Sequence, residues 1–450
     1  MTKTFFIETW GCQMNELDTE RLSGNLKLRG YRRVAQKEEA GLILLNTCSV
    51  RDKAEQKVFS ELGRLRELKR DRGIKIGVAG CVAQQEGESI LARAPWVDFV
   101  MGPGNVGYLD EILDDGMRVA VEFPEDRKYD YLNIDRGSAT KAWVTIIEGC
   151  NKNCTFCIVP TTRGREVSRP FDALLDEVRA AVASGRVEIE LLGQTVNAYR
   201  CPVSGRDFGA LLSAVADVEG VMRLRFMTSH PAEVSDSMIT AMRDHANISR
   251  YLHLPVQSGS SRVLRRMKRL YTRERYVETI ARLREAMPDI HFSTDIIVGF
   301  PGETEEDFQQ TLSLIEEVNY GSLFAFKYSP RPGTPALKIG EAVDDAVASE
   351  RLQRLFELHE RLKRDRLESY RGRVMPVLVE GPSRHNPLMT AGRTDDNWVV
   401  NFHADPAPLP GSMLGVRIDE AQHHTLRGEA MQRPSVGEAM QRPSIGEARQ

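Results

Sequence analysis

The sequence contains no apolar run approaching the 18 or so residues that a transmembrane helix requires, so we expect no membrane contact. Its first ten residues combine one lysine with a short apolar run and Glu8, which is not typical of a signal peptide. An excess of one charge is also missing, because 61 basic and 64 acidic residues leave a net charge of −3. Any nucleic-acid contact must therefore come from a local patch. These absences predict a cytoplasmic protein.

Cysteine is scarce as well. The seven cysteines lie far apart in 450 residues. An odd number at wide spacings, without an export signal, disfavours a disulfide framework and favours reduced, metal-ligating thiols. A chain of this length is expected to divide into roughly two to four domains.

Three of the cysteines follow an apolar run at 142–147 that is typical of a buried strand. Cys150, Cys154 and Cys157 have the spacing Cys-x3-Cys-x2-Cys. A structural zinc site needs four ligands, and no histidine lies close by to supply the fourth. Three thiolates instead suit a cubane iron–sulfur cluster whose fourth iron has no protein ligand. Buried structural thiols, a disulfide and an incomplete zinc site are the alternatives.

The other three candidate ligands lie in the N-terminal part of the chain. Residues 1–125 alternate short apolar runs with helix-like stretches, which predicts a Rossmann-like parallel sheet flanked by helices. Cys12, Cys48 and Cys81 each follow one of the first three runs. The carboxyl ends of parallel strands share one edge of a sheet, where such folds bind ligands. We expect these three thiols to converge there, although buried cysteines without a ligand role are also common.

The alternation of strands and helices resumes from 142 to about 328. Six candidate strands are too few for an eight-fold barrel, so residues 140–370 are predicted to form a partial (β/α)6 barrel with a trailing helix. The Cys150–Cys157 loop follows the first strand, on the side of a barrel that carries chemistry.

The cysteine loop also resembles a known family. With Phe156 included, the pattern Cys-x3-Cys-x-aromatic-Cys is similar to the signature of the radical S-adenosylmethionine (SAM) family. In that family a [4Fe–4S] cluster cleaves bound SAM to a 5′-deoxyadenosyl radical. The resemblance implies that SAM is held by the loops after the barrel strands. The implied cofactor-binding residues are Phe156, Gln194, Ser229, Gln257 and Gly299. His230 is equally explained as a satisfied polar residue at a strand end.

The C-terminal part has a different texture. Residues 371–427 show short alternating runs separated by turn residues, which predicts a small antiparallel β-barrel. Its position resembles the TRAM domain, an RNA-binding barrel of tRNA-modifying enzymes. Arg384 and Arg393 are candidate RNA contacts, while Trp398 suits either RNA or the core. Residues 428–450 contain a nine-residue repeat, poor in apolar residues, and are expected to be disordered.

A basic run at 262–275 is a further candidate for RNA contact, with Arg265, Arg266 and Lys268 as the proposed RNA-binding residues. Such runs are more often the solvated face of a helix.

Two sets of three cysteines and a terminal barrel together resemble the radical SAM methylthiotransferases, and most closely the MiaB type. The supporting strings are Gly11–Glu16, Asn46–Arg51, Gly80–Ala83 and Leu191–Tyr199. The resemblance implies a monomeric enzyme that adds a methylthio group to C2 of N6-isopentenyladenosine beside the anticodon of tRNA. It implies two [4Fe–4S] clusters: one at Cys150, Cys154 and Cys157 that makes the radical, and one at Cys12, Cys48 and Cys81 that carries the sulfur. One SAM would donate the methyl group and a second the radical, with external electron and sulfur donors.

Several alternatives remain open. A sibling enzyme could act on threonylcarbamoyl-adenosine in tRNA or on an aspartate of a ribosomal protein. A non-catalytic iron–sulfur protein that binds RNA or senses redox state would not need the SAM loops, and a zinc-structured RNA-binding module would need a fourth ligand for each site. Cys201 matches no ligand position and is expected to be an ordinary thiol.

Overall fold

The computed structural model describes residues 3–49, 52–125 and 133–431, without the side chains of residues 52–55. The chain forms two compact units, Met1–His359 and Glu360–Gln450. Both the N-terminal sheet and the barrel predicted from the sequence belong to the first unit. In the described ranges no helix has the length and apolar character needed to cross a membrane.

The N-terminal sheet has six parallel strands in the order β2-β1-β3-β4-β5-β6. The strands are β1 (Thr4–Trp10), β2 (Arg32–Arg33), β3 (Leu42–Thr47), β4 (Lys75–Gly80), β5 (Phe99–Met101) and β6 (Val119–Ala120). The helices are α1 (Gln13–Leu28), α2 (Asp52–Arg72), α3 (Cys81–Glu86), α4 (Glu88–Arg93) and α5 (Leu109–Asp115). Two apolar cores cover the sheet. The predicted Rossmann-like arrangement is confirmed.

The register of this sheet aligns three strand ends. Trp10 of β1 pairs with Thr47 of β3, which pairs with Gly80 of β4. The helix after β1 begins at Gln13, because Cys12 and Asn15 form a capping box at its N-terminus. Cys12, Cys48 and Cys81 therefore all lie within two residues of a strand end.

The second part of this unit is a partial barrel of six parallel strands. Its strands and the ribbon beside them are β7 (Lys141–Thr145), β8 (Ile147–Glu148), β9 (Val167–Ser168), β10 (Glu188–Leu192), β11 (Arg223–Phe226), β12 (Tyr251–His253), β13 (His291–Val298) and β14 (Ser322–Lys327). Its helices are α6 (Val159–Arg163), α7 (Phe171–Ala183), α8 (Phe208–Ala216), α9 (Asp236–Asp244), α10 (Ser261–Arg266), α11 (Arg273–Ala286) and α12 (Glu305–Val318). The sheets β11-β10-β7 and β12-β13-β14 meet at a bridge between Leu224 and Ile248.

The strand predicted at 142–147 is split in two. β7 ends at Thr145, and Ile147–Glu148 instead pairs with β9 in a separate antiparallel ribbon. The split occurs because the backbone of Ile146 bonds to Leu192 on one side and Arg169 on the other. The ribbon closes the base of the loop that carries Cys150–Cys157.

A long helix, α13 (Asp345–Glu368), leads into the second unit, which is a closed five-stranded barrel. The strands are β15 (Val374–Pro382), β16 (Thr390–Thr394), β17 (Val399–His403), β18 (Met413–Ala421) and β19 (Thr425–Ala430). Four of its strand pairs are antiparallel, as predicted, but β17 and β19 pair in parallel. β19 extends to Ala430, past residue 428 where the disordered tail was predicted to begin, because residues 428–430 pair with the neighbouring strands β17 and β18. The remainder of that tail, from residue 432, lies outside the described residues.

Candidate functional site

The three N-terminal cysteines converge at the aligned strand ends. The thiol of Cys48 hydrogen-bonds those of both Cys12 and Cys81. Gly80 makes this possible, since its φ of +91° is a conformation that favours glycine, and a Cβ there would lie 2.5 Å from the carbonyl oxygen of Thr47. The strand can therefore turn directly into α3 at Cys81.

The three thiols have different proton affinities. Hydrogen bonding with Cys48 lowers the pKa of Cys12 to about 6 and that of Cys81 to about 7, with a further contribution from the cation Arg163. The same bonds raise the pKa of Cys48. Cys12 and Cys81 are therefore deprotonated more readily than an isolated cysteine, which favours metal binding because the thiolate is the ligand form.

The second cysteine set occupies one loop between β8 and α6. Gly149 precedes it with a φ of +76°, and a Cβ there would lie 2.1 Å from the carbonyl oxygen of Arg165. The Cys150 sulfur lies 3.5 Å from the Thr195 hydroxyl. Cys157 closes a turn onto the carbonyl of Cys154, and burial raises the pKa of its thiol to about 12.

A buried arginine holds this loop against the barrel. Arg269 donates to the Cys154 sulfur at 3.3 Å, to the carbonyl of Pro255 at 2.9 Å and to the Tyr271 hydroxyl at 2.9 Å. The loop is also anchored through Thr155, whose hydroxyl donates to the carbonyl of Arg266 at 3.0 Å. Arg269 belongs to the basic run at 262–275, but its side chain is buried beside a cysteine.

The predicted SAM residues lie at the strand ends around this loop. Gln194 accepts from the backbone N–H of Gly149 at 2.5 Å, next to Cys150. The Ser229 hydroxyl is buried with no hydrogen-bond partner among the described residues. Gln257 has a φ of +74°, a strained conformation of the kind found at ligand sites.

Phe156 and Gly299 occupy the opposite side of the loop. Phe156 packs with Ile297 and Tyr328 against a small apolar cluster. The Gly299 N–H donates to the Glu303 carboxylate at 3.0 Å. The carbonyl of Gly299 is then the other polar backbone group of this residue. None of these contacts assigns SAM to the five residues, so their role stays a prediction.

His230 is neither fully satisfied nor charged. Its Nδ1 accepts from the N–H of Ala232 at 3.2 Å, which places the proton on Nε2. That Nε2 is buried with no partner in the described part of the chain. Burial, together with nearby Arg269 and Lys152, lowers the pKa of the ring to about 3. A neutral imidazole therefore presents an unused N–H donor beside the second cysteine set.

Three buried charged residues and one partly buried arginine connect the two cysteine sets. Arg163 of α6 donates to Asp18 of α1 at 2.7 Å, and Arg21 lies 3.8 Å from Asp18 and 3.5 Å from Glu148. Glu148 precedes Cys150 by two residues. The network thus joins the helix that begins at Cys12 to the loop that carries the second set.

The inner face of the barrel presents exposed aromatic rings. Thr294 interacts with Tyr276 of α11, so it points outward and its neighbour Asp295 points to the inside. Phe324 pairs in register with Asp295, and Phe326 follows on the same face. Their exposed fractions are 50% and 47%.

Polar groups accompany the aromatic rings. His253 lies 3.5 Å from the Asp295 carboxylate, and its ring contacts Phe324 edge-on. The face also continues toward the cysteine loop, because Ile297 is in register with Phe326 and belongs to the cluster of Phe156.

The proposed RNA-binding residues differ in their surroundings. Arg265 and Lys268 are exposed and have no ionic partner in the described ranges, whereas Arg266 pairs with Glu341 at 2.9 Å. In the second unit Arg384 is exposed in the loop after β15. Arg393 pairs with Glu380 at 2.9 Å.

Trp398, which the sequence left between RNA and core, lies in the core of the second unit's barrel. Cys201 is buried away from both cysteine sets. Burial would raise the pKa of its thiol, but hydrogen bonds from Ser204 and nearby backbone N–H groups lower it to about 7.

Sequence reasoning missed Arg163 and the role of Arg269. Arg163 lies six residues after Cys157 in a segment with no recognisable motif, and only the contact of α6 with α3 reveals its position. Arg269 was recognised only as one cation in a basic run.

Both cysteine sets fit iron–sulfur clusters by donor chemistry, with three thiols each and an arginine beside them. As the side chains lie, no three Cys, His, Asp or Glu residues in the described ranges are arranged to hold a metal ion. The cluster-ligand role of the six cysteines therefore rests on donor chemistry and stays a prediction.

Comparison with known proteins gives three family matches. Residues 4–102 match Uncharacterized protein family UPF0004, residues 144–315 the Radical SAM superfamily and residues 368–431 the TRAM domain.

Full-length relatives carry one common name, tRNA-2-methylthio-N(6)-dimethylallyladenosine synthase. The protein from Alkalilimnicola ehrlichii is 49% identical over 96% of this chain and 98% of its own length. Those from Haemophilus influenzae and Burkholderia ambifaria are each 46% identical over 96% of this chain, and over 93% and 98% of their own lengths.

Two solved structures share the fold. The radical SAM methyltransferase TsrM from Kitasatospora setae superposes with a TM-score of 0.55 at 14% identity, covering 75% of this chain and 77% of that one. The cobalamin-dependent SAM radical enzyme OxsB has a TM-score of 0.51 at 14% identity, covering 80% and 56%.

Proposed function

We propose, since the chain belongs to the family of tRNA-2-methylthio-N(6)-dimethylallyladenosine synthases, that it adds a methylthio group to C2 of N6-isopentenyladenosine beside the anticodon of tRNA. It is a radical SAM enzyme whose cofactors are two [4Fe–4S] clusters and SAM. The observation that carries this proposal is the pair of cysteine triads, each at strand ends, joined by buried charges in one compact unit.

Cys150, Cys154 and Cys157 would hold one cluster, and Cys12, Cys48 and Cys81 the other. When bound, the cluster in the Cys150–Cys157 loop supplies the electron that cleaves SAM to a 5′-deoxyadenosyl radical, and the N-terminal cluster supplies the sulfur. The C2–H of adenine is too weakly acidic for a side-chain base, so this cofactor chemistry is needed. His230, the neutral ring beside the Cys150–Cys157 loop, cannot act as a charged acid near neutral pH.

The chain's own residues would bind and orient SAM at the strand ends. The unpaired Ser229 hydroxyl and the His230 Nε2–H offer hydrogen bonds that the protein leaves unmade. Gln194 fixes the backbone beside Cys150, and the strained Gln257 lies four residues after the end of β12. Phe156 packs the cysteine loop onto β13.

The inner aromatic face would receive the modified base. A base that reacts inside a protein must leave its stack, and flipped bases are held between aromatic side chains. Phe324 and Phe326 offer apolar surface for an adenine with an isopentenyl group, and His253 and Asp295 offer polar contacts at its edge.

The surrounding RNA would be held by basic residues. Arg265 lies four residues before Arg269 and Lys268 one residue before it, and so both lie beside the cluster loop, with no carboxylate among the described residues to neutralise them. Arg384 would contribute from the TRAM barrel, while Arg266 and Arg393 would have to exchange a carboxylate for phosphate. The enzyme would work as a monomer in the cytoplasm, with an external electron donor and a sulfur donor.

The test is anaerobic reconstitution with iron and sulfide, followed by reaction with SAM, a reductant and an isopentenylated anticodon stem-loop RNA. We expect about eight irons per chain and a methylthio-isopentenyladenosine detected by mass spectrometry. The same RNA without the isopentenyl group is the matched control.

Other outcomes point elsewhere. SAM cleavage with eight irons but no modified nucleoside would keep the radical enzyme and direct the search to threonylcarbamoyl-adenosine or a ribosomal-protein aspartate. Zinc in place of iron, without cleavage, would overturn the proposal.

A further inference from the structure

We propose that Arg163 is a positioning residue: it supplies the positive charge that faces the Cys12, Cys48 and Cys81 thiolates and thereby sets how readily a cluster held there is reduced. The inference rests on the proposed function in one respect, namely that these cysteines hold a cluster.

The geometry places the Arg163 guanidinium between the two cysteine sets. Arg163 is the last residue of α6, it is 4% exposed, and its Nη2 donates to the Asp18 carboxylate at 2.7 Å. α6 packs against α3, and the first residue of α3 is Cys81. The guanidinium also hydrogen-bonds the Cys81 sulfur and attracts that of Cys12.

The charges around Arg163 leave it facing the thiolates. Arg163, Arg21, Asp18 and Glu148 together carry no net charge, so they form a neutral group next to three thiols. Within that group the Asp18 carboxylate accepts a hydrogen bond from Nη2 of Arg163. The same guanidinium also interacts with the Cys81 and Cys12 sulfurs. A buried arginine keeps its charge, unlike a lysine or histidine, so it is a fixed counter-charge for thiolates.

The position of Arg163 in the chain couples the two sites. The second set has its own buried arginine, Arg269, which reaches Cys154 from the loop after α10. Arg163, by contrast, lies only six residues after Cys157 but contacts the first set. The segment that carries Cys150, Cys154 and Cys157 therefore also carries the counter-charge of the N-terminal cluster.

A nearby positive charge favours the reduced form of a cluster, because reduction adds negative charge. Removing the charge of Arg163 should therefore lower the reduction potential of the N-terminal cluster. Removing the charge of Asp18 should do the opposite, because it leaves the guanidinium unneutralised. A purely structural role predicts no such difference in sign, since both changes break the same ion pair.

The test uses the full-length chain with Cys150, Cys154 and Cys157 replaced by alanine, so that only the N-terminal cluster is reconstituted. Its potential is measured by dye-mediated titration followed by electron paramagnetic resonance. Arg163→Gln should change the ratio of reduced to oxidised cluster at a fixed potential by about tenfold toward oxidised, or about 59 mV for one electron. Arg163→Lys should keep most of the wild-type value, and Asp18→Asn should shift it upward.

Shifts of the same sign for Arg163→Gln and Asp18→Asn, or no shift in either, would overturn the inference. If Arg163→Gln does not fold, Arg163→Lys and Asp18→Asn decide, since a downward shift in Asp18→Asn contradicts the proposed charge effect. Failure of the proposed function looks different: the parent chain would then bind no iron at Cys12, Cys48 and Cys81.

Discussion

The two cysteine sets differ in how the chain assembles them. The second set lies in eight consecutive residues, 150–157, and its geometry depends on one loop and the arginine that anchors it. The first set is gathered from positions 12, 48 and 81 by the register of three parallel strands. One site is thus specified by local spacing and the other by topology.

The pKa values of the thiols also differ between the two sets. In the first set hydrogen bonds between thiols lower the pKa values of Cys12 and Cys81, while in the second set burial raises that of Cys157. In the first set the thiols hydrogen-bond one another, whereas in the second set the Cys150 and Cys154 sulfurs contact Thr195 and Arg269. This difference predicts that damage to one site leaves the other intact.

The largest expected effect separates the sites completely. Cys150→Ala should abolish SAM cleavage, because the site is left with two thiolates. Cys48→Ala should preserve cleavage but stop sulfur insertion. The measurements are iron content, 5′-deoxyadenosine and modified nucleoside by mass spectrometry, and each variant should retain about four of about eight irons.

Cys201→Ala is the matched control for these variants, since Cys201 is buried but belongs to neither set. It should retain the iron and both activities. Loss of cleavage in Cys48→Ala, in a folded protein, would contradict the division of labour between the two sites.

A smaller effect is expected at the arginine of the second site. Arg269→Gln removes the donor to Cys154 and to the carbonyl of Pro255. Partners of metal ligands typically contribute about 10- to 100-fold in affinity or activity, so SAM cleavage should fall by that factor. Iron at the first site should not change. Arg275→Gln, which removes an exposed cation paired with Glu278, is the control.

The contrast between the sites also explains what the sequence could predict. The spacing of Cys150, Cys154 and Cys157 is a local pattern, so their loop could be recognised directly. Convergence of the first set followed from the rule that parallel strands share one edge, because each cysteine follows a strand. Helix starts and strand ends near the sites were less predictable, since α1 is capped by a cysteine, which is not a preferred N-cap residue, and the split at Ile146 depends on long-range hydrogen bonds.

Side chains without a local pattern could not be assigned. A single arginine such as Arg163 gives no signal of burial, because its partner Asp18 is 145 residues away. In the basic run at 262–275 most of the cations are paired with carboxylates or buried, which the sequence pattern does not reveal.

Variants on the inner aromatic face should affect neither cysteine site. Phe326→Ala removes apolar surface for the base, and stacking on an aromatic ring contributes about 1–3 kcal/mol per base. The kcat/KM for isopentenylated RNA should therefore fall by about tenfold. Iron content and SAM cleavage without RNA should be unchanged. Phe356→Ala, an equally exposed ring on α13, should leave all of these at wild-type values, and a similar loss there would remove the inner face from the proposal.

The smallest effect concerns pH and the second site alone. His230 is buried with its pKa lowered to about 3, whereas in the unfolded chain it is near 6.5. Between pH 6.5 and pH 3 the unfolded state therefore binds a proton at His230 that the folded state does not bind. The stability contributed by neutral His230 is complete above pH 6.5 and decreases as the pH falls toward 3. At pH 5 this loss is about 2 kcal/mol. Urea denaturation at pH 7 and pH 5 should show a smaller acid loss for His230→Gln than for wild type, and an identical loss would show that the ring is protonated in the folded protein.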